Sequence, residues 1–267
     1  MGQQSNENRR LNASTGRRPN RRLLTHKRRQ GSRLKDLSKE ADKGTIARGR
    51  AAVYLWLAKF FLAPPTHESL KEQLESKMLD GIRDILGPAG DKPLNDLMSV
   101  GSSLGRGETS RIRQEYDELF LIPIKGQHIP LYESAFREKT ETGFGGLWGP
   151  ATAEAKEVYK RAGFEAQLQD QIFAPDHLGL ELAFMSTLAI QEAKAIANRE
   201  KSTRPEIQKL QTQFLTDHLN NWLRDFALTV QSKLQSGFFA SVSAIADTFV
   251  NEDLRYMLGD AICLNDE

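Results

Sequence analysis

The sequence contains little cysteine and no long apolar run. Its 267 residues include one cysteine, Cys263, which excludes an intramolecular disulfide, a thiolate zinc cluster and a redox Cys-x-x-Cys pair. The longest apolar stretch, 51–63, contains Lys59 and is shorter than the roughly 18 residues of a membrane helix. No apolar segment of a secretory signal follows the N-terminus. We therefore expect a protein of the reducing cytoplasm.

The sequence also lacks the motifs of common enzymes. It has no phosphate-binding GxxxxGK[ST] loop and no GxGxxG between a strand and a helix. Asp176, His177 and Glu181 place an imidazole and carboxylates at a spacing that helical metal sites use. The other histidines supply no second Glu-x-x-His pair, so we expect no catalytic residue and no metal. A metal-dependent enzyme that uses these three residues is kept as an alternative.

Charge is distributed unevenly along the chain. Residues 1–50 hold 15 basic and 4 acidic side chains, which leaves 22 basic and 31 acidic side chains for residues 51–267. The two parts therefore carry formal charges of +11 and −9. A strongly basic segment with no aromatic residue before Tyr54 cannot bury enough apolar surface to fold alone. We expect a disordered Arg-rich arm at 1–44, a folded domain at 45–260 and a short tail at 261–267.

The arginine pairs of the arm leave three interpretations open. They are consistent with a solvated tail, and this is the simplest interpretation because no aromatic side chain offers a stacking platform. Clustered arginines also bind phosphates, so a helical protein that binds nucleic acid through its arm is an alternative. In a third hypothesis, the pairs occupy an acidic site of the domain in cis and compete with another arginine-bearing ligand.

Apolar side chains recur at intervals of three and four residues through most of the folded part. The pattern predicts helices at 46–62, 70–86, 112–120, 151–162, 177–197, 207–226, 238–249 and 253–258, with a weaker one at 94–104. No convincing alternating strand is present, so the predicted fold class is an all-α single domain of about eight to ten helices. Between the third and fourth of the clear helices, Pro123 to Pro150 predict a long loop. Asp176 is the predicted N-cap of the helix that follows it.

Three segments in order resemble one protein family. They are EYDELFLIP (115–123), IPLYESAF (129–136) and APDHLGLELAFMSTL (174–188). Together they resemble the TorD/DmsD/NarJ-type chaperones for the maturation of redox enzymes, and LWGPATAEAKEVYKRAGFE (147–165) is similar to that family as well. The similarity spans about 45–258 and excludes the arm.

The resemblance implies an all-helical protein that is not an enzyme. Its expected function is to bind the twin-arginine signal peptide or the apo form of a molybdopterin-dependent oxidoreductase until the cofactor is inserted. No tightly bound cofactor is expected, whereas transient contact with the molybdopterin cofactor or a guanine nucleotide is implied by the family. The expected oligomeric state is a monomer or a helix-swapped dimer, without membrane insertion.

An acidic domain suits an arginine-bearing ligand because carboxylates accept charge-assisted, bidentate hydrogen bonds from guanidinium groups. We predict Glu133 and Asp176 as the principal acceptors and aromatic loop side chains as walls for the apolar part of the peptide. His177 is expected to contact the peptide or to cap and pack its own helix. The full set of predicted peptide- or client-binding residues is Tyr132, Glu133, Ser134, Phe136, Trp148, Asp176, His177, Leu178 and Glu181.

Overall fold

The structure is a computed structural model. It describes the backbone of residues 21–141, 143–165 and 173–259, and side chains from 42 onward within these ranges except at 76. The predicted tail at 261–267 and the first 20 residues of the predicted arm lie outside the described residues. Contacts divide the chain into two units, Met1–Asp42 and Lys43–Glu267.

The described residues form helices connected mostly by short turns, and this confirms the predicted all-α class. The helices are α1 (Arg21–Leu62), α2 (His67–Gln73), α3 (Ser76–Leu86), α4 (Asp91–Ser102), α5 (Arg106–Tyr116), α6 (Glu133–Arg137), α7 (Pro150–Ala162), α8 (Leu178–Asn198), α9 (Thr203–Phe214), α10 (Asn220–Leu234) and α11 (Phe238–Leu258). Within the described ranges no strand occurs, only isolated bridges. None of the helices described is long and apolar enough to cross a membrane.

Helix α1 begins at Arg21, although the sequence predicted a helix only from residue 46. The apolar periodicity that predicts a helix is absent before Gly44, but the residues there are mainly Arg, Lys, Leu and Gln. These residue types have high intrinsic helix propensity, and after Pro19 no proline interrupts them. Backbone helix therefore extends beyond the segment that has an apolar face.

The core of the second unit is built around the C-terminal half of α1. Its Tyr54, Leu57, Phe60 and Phe61 are fully buried, since one face of this helix is surrounded by apolar side chains from later helices. The Phe61 ring lies 5.8 Å from that of Phe226 on α10. Each buried aromatic of this kind stabilises the fold by about 1.5–3 kcal/mol through removal of apolar surface from water.

Two helices contain a wide π turn, a feature that is frequent at functional sites. Helix α5 continues into Asp117–Leu121, where the amide of Ile122 donates to the carbonyl of Asp117. Helix α9 continues through Leu215–Leu219 into α10, with the amide of Asn220 bonded to a carbonyl five residues earlier. The helix predicted at 207–226 is therefore not a regular α-helix throughout, because a π turn lies at Leu215–Leu219.

Candidate functional site

The loop before α6 and the start of α8 are joined through their backbones. The amide of Glu133 donates to the carbonyl of Asp176 over 3.0 Å, and the amide of Leu178 donates to the carbonyl of Leu131 over 2.8 Å. Because these segments lie about 40 residues apart in sequence, the pairing requires the long loop to fold back onto α8. The segment from Leu131 to Ser134 therefore lies beside the segment from Asp176 to Leu178.

Asp176 is fully buried and joins three elements. Its Oδ2 accepts from the backbone amide of Ser134 over 2.9 Å, and its Oδ1 accepts from Oγ1 of Thr152 on α7 over 2.8 Å. Both carboxylate oxygens are thus used inside the protein. Oγ of Ser134 is buried without a partner among the described residues. Asp176 positions α6 and α7 and, in this conformation, is not accessible to a ligand.

The N-cap of α8 is His177, so the prediction of Asp176 as N-cap was wrong by one residue. Nδ1 of His177 accepts from the amide of Gly179 over 3.1 Å, which satisfies a backbone donor of the first helical turn. The ring packs against Phe173 at 4.2 Å and edge-on against Tyr132 at 5.1 Å. Burial lowers the pKa of His177 to about 3. His177 is therefore a neutral capping group at physiological pH.

Glu133 is the first residue of α6 and is fully buried. Its Oε1 accepts from Nη1 of Arg137 over 3.0 Å, and its Oε2 lies 2.8 Å from Nδ1 of His218. In the tautomer with its proton on Nδ1, His218 donates to Glu133 and Nε2 is left as an acceptor. Among the described residues this Nε2 has no hydrogen-bond partner.

Glu181 lies one turn into α8 and is also fully buried. Its Oε2 accepts from Nε1 of Trp222 over 3.1 Å, whereas its Oε1 accepts no hydrogen bond. Burial, followed by repulsion from Glu133, raises the pKa of Glu181 well above its usual value. Two carboxyl groups this close together in an apolar interior favour the uncharged form of Glu181.

Glu133, Glu181 and His218 bring three ligand atoms within 4.8 Å of one another, which is the spacing of a metal site. Their remaining contacts do not favour a cation. The guanidinium of Arg137 already lies on Glu133, and both Nδ1 of His218 and Oε2 of Glu181 are hydrogen-bonded. The group is better described as an internal hydrogen-bond cluster around Glu133.

The apolar side chains predicted as groove walls differ in exposure. Phe136 is buried and packs on Trp222 at 5.3 Å, and Leu178 is also part of the core. Tyr132 is half-buried, whereas Trp148 is 66% exposed. The predicted site therefore has a buried polar centre, and Trp148 is its most accessible member.

Sequence reasoning missed four side chains that hold this centre together. They are Arg137, Thr152, His218 and Trp222. Two signals were present in the sequence: Arg137 follows Glu133 by four residues, and Trp222 follows His218 by four. Such i,i+4 pairs share one helix face. The partner helix of each pair cannot be read from that spacing.

A short apolar segment that begins at the last residue of the first π turn is exposed. Leu121 and Ile122 are 52% and 48% exposed, and Ile124 is accessible as well. Leu147, just before Trp148, is also accessible. Large apolar side chains adjacent in sequence and left in water are typical of an interaction surface rather than of scattered surface residues.

A cavity of about 670 Å³ opens beside the Glu133 cluster. Its walls come from α6, α7 and the second π turn. The lining residues are Arg137, Ala153, Glu154, Glu157, Val158, Arg161, Thr216, Asp217, His218 and Asn221. Arg137 and His218, the two partners of Glu133, both line it, so the buried carboxylate lies directly behind its wall.

Comparison with known proteins finds a matching family and several similar proteins. The family model of the nitrate reductase delta subunit matches residues 86–228, a range that contains the loop, α6, α7, α8 and the second π turn. No solved structure matches the chain significantly.

Several curated proteins are similar over most of the chain. Chaperone protein TorD of Vibrio parahaemolyticus is 28% identical over 221 residues, that of Photobacterium profundum 25% over 216, and that of Aliivibrio salmonicida 24% over 221. Each alignment covers 79% of this chain and 95% of the relative. All three are named as chaperones and none as an enzyme, in agreement with the predicted non-enzymatic role.

Proposed function

The chain belongs to the nitrate reductase delta subunit family, and on that premise we propose that it is a cytoplasmic maturation chaperone for a molybdopterin-dependent oxidoreductase. It binds the twin-arginine signal peptide or the apo form of this client, or both, and releases it once the cofactor is inserted. The similarity to TorD chaperones over 95% of their length supports the chaperone role.

The observation that carries the client-binding role is the exposed apolar segment Leu121–Ile124. A chaperone must cover apolar surface of its client, and an accessible apolar segment on a structured loop provides matching surface. Trp148 adds a large aromatic side chain that is two-thirds exposed. Aromatic side chains contribute much contact area at low entropic cost, so Trp148 is the predicted site residue that we expect to touch the client directly.

The charge of the folded part supports a cationic ligand. The formal charge of residues 51–267 is −9, and a negative surface accelerates association with an arginine pair by long-range attraction. Glu133 and Asp176, the predicted acceptors, are buried and engaged within the protein. We assign them a positioning role, in which they hold the loop and the cavity wall in place for the client.

The other functions considered from the sequence have less support. A metal-dependent enzyme has less support because the potential ligand atoms of Asp176 and His177 accept hydrogen bonds from Ser134, Thr152 and Gly179. Nucleic-acid binding depends on the arm, most of whose side chains lie outside the described residues. Transient contact with the molybdopterin cofactor or a guanine nucleotide stays a prediction.

Deletion of the gene for this chain in its host tests the proposal. We expect one molybdopterin oxidoreductase to accumulate as apoenzyme, measured as lost molybdenum content at an unchanged amount of its polypeptide. The wild-type gene should restore the metal, and a gene with Ile122→Ser and Ile124→Ser should not. Unchanged molybdenum in every oxidoreductase of the deletion strain would contradict the proposal.

A further inference from the structure

The cavity beside the Glu133 cluster has more acceptors than its own donors use. Arg137 already bridges Glu133 and Glu154, with Nη1 at 3.0 and 2.8 Å from their oxygens. The carboxylates of Glu157 and Asp217 also line the cavity, and neither has an ion-pair or hydrogen-bond partner among the described residues. With Glu133 behind the wall, four carboxylates accompany two arginines, so the site carries a net negative charge.

In the tautomer that donates from Nδ1, His218 presents Nε2 as an acceptor at the same place. Its side chain is only 5% exposed, yet it lines the cavity with Nε2 unpartnered. The bond from Nδ1 to Glu133 fixes the tautomer and the orientation of the ring. A buried acceptor held in this way loses little freedom when a donor binds, so it is preorganised for an N–H group.

The second π turn explains why Asp217 and His218 meet at this cavity. Both residues lie within Leu215–Leu219, where the helix is widened. In a regular helix the two side chains would be separated by about 100° of rotation. Widened turns of this kind occur often where a helix presents side chains to a ligand.

We propose that this cavity binds an arginine side chain of the client's signal peptide. Its guanidinium donates to the carboxyl groups of Asp217 and Glu157 and to Nε2 of His218. A guanidinium offers five donors in a planar fork and no acceptor, which matches a wall rich in acceptors. Arg137 shows that the carboxylates of this wall accept a guanidinium at hydrogen-bond distance. The inference rests on the proposed function and names the surface that recognises the arginines.

The volume is compatible with such a ligand. Pockets of about 300–1,000 Å³ hold small ligands, and this cavity of about 670 Å³ accepts an arginine side chain with adjoining peptide backbone. A lysine ammonium has three donors on one atom and cannot span acceptors from different helices as a guanidinium does. The cavity should therefore favour arginine over lysine.

The test uses the full chain and a synthetic peptide with an Arg–Arg pair followed by an apolar segment. Calorimetric titration should show that Glu157→Gln combined with Asp217→Asn weakens binding about tenfold or more. The matched control is Asp80→Asn combined with Asp84→Asn, which removes the same charge from exposed positions on α3 and should change affinity less than about twofold. Equal effects of the two double variants would overturn the cavity assignment and leave the proposed function intact.

A second measurement locates the ligand independently of the peptide. Chemical shifts of the His218 ring, assigned with His218→Gln, are followed during titration with N-acetyl-arginine methylamide, and N-acetyl-lysine methylamide serves as control. A saturable shift with the arginine compound supports the cavity, and no shift overturns it. If the wild-type chain bound neither an Arg–Arg nor a Lys–Lys peptide, the signal-peptide part of the proposed function would fail, while the His218 signal would still decide whether the cavity takes a guanidinium.

Discussion

Asp176 and His177 are adjacent in the chain but stabilise different contacts. The carboxylate of Asp176 accepts from α6 and α7, whereas the ring of His177 caps α8. Both interactions are buried, and a buried donor left without its acceptor costs about 1–3 kcal/mol. The two residues therefore contribute to stability through separate hydrogen bonds that can be removed one at a time.

The variant Asp176→Asn should be destabilised. Asparagine has one acceptor oxygen and an NH₂ group in place of the second carboxylate oxygen. This NH₂ group would face either the Ser134 amide or the Thr152 hydroxyl, whose hydrogen bond to Asp176 is then lost. We expect the free energy of unfolding in urea to fall by about 2 kcal/mol. Asp84→Asn, at an exposed position on α3, should change it by less than about 0.5 kcal/mol. Equal stability of Asp176→Asn and the wild type would show that the buried carboxylate is not required.

The neutral state of His177 predicts a pH dependence. Its pKa of about 3 in the folded protein is below the roughly 6.5 of an unfolded histidine, so the unfolded state takes up the proton first as the pH falls. This residue should therefore cost the wild type about 1.4 kcal/mol of stability per pH unit between about pH 6.5 and its folded pKa of about 3. Above about pH 6.5 the neutral His177 causes no loss of stability.

The variant His177→Asn isolates this contribution, because asparagine caps helices but does not titrate in this range. Urea unfolding at several pH values between 4 and 7 should show the wild type losing stability relative to the variant as the pH decreases. Gln127→Asn, at an exposed loop position without a titratable side chain, should keep the wild-type slope. Parallel curves for the wild type and His177→Asn would contradict the neutral cap.

At the scale of elements, the first turn of α8 packs closely on the last turn of α1. A Cβ atom added at Gly179 would lie 2.7 Å from Cγ and Cδ2 of Leu62. Overpacking of a buried contact costs about 1–3 kcal/mol, so Gly179→Ala should lower the melting temperature. By contrast, Gly81→Ala in α3 meets no atom within 4 Å and should add about 0.5–1 kcal/mol. A stabilising Gly179→Ala would contradict the close packing.

Helices with a clear apolar face were predictable from sequence, and those defined by other properties were not. The end of α7 at Gly163, which has φ 64°, was predicted because a C-terminal glycine is a local signal. The five-residue α6 and the π turn at Leu215–Leu219 were not predicted. They depend on tertiary partners of Glu133 and His218, which no local pattern specifies.

The sequence indicated residues for the site but not their arrangement. The sequence indicated Glu133, Asp176 and His177 because these residues carry the family resemblance. The sequence did not indicate that these residues are buried. Because they are buried, their side chains hold the loop in place and do not face solvent. The cavity was not predicted because Glu157 and Asp217, on two different helices, become neighbours of one space only in the folded chain.

At the scale of the whole molecule, client binding should depend on the exposed apolar segment. Ile122→Ser combined with Ile124→Ser removes apolar surface available to a peptide, so we expect about tenfold weaker binding of a signal peptide, or about 1.4 kcal/mol. Met78→Ser combined with Ile85→Ser changes exposed apolar positions on α3 and is the control. Equal losses of affinity in the two variants would show that Ile122 and Ile124 have no specific role.

The full chain should recognise the arginine pair of a signal peptide. Calorimetric titration of the wild-type chain with an Arg–Arg peptide and with the same peptide carrying Lys–Lys tests it most directly. We predict at least about tenfold tighter binding of the Arg–Arg peptide, with affinity decreasing as salt screens the charges. No binding of either peptide, or equal affinity for both, would contradict the account.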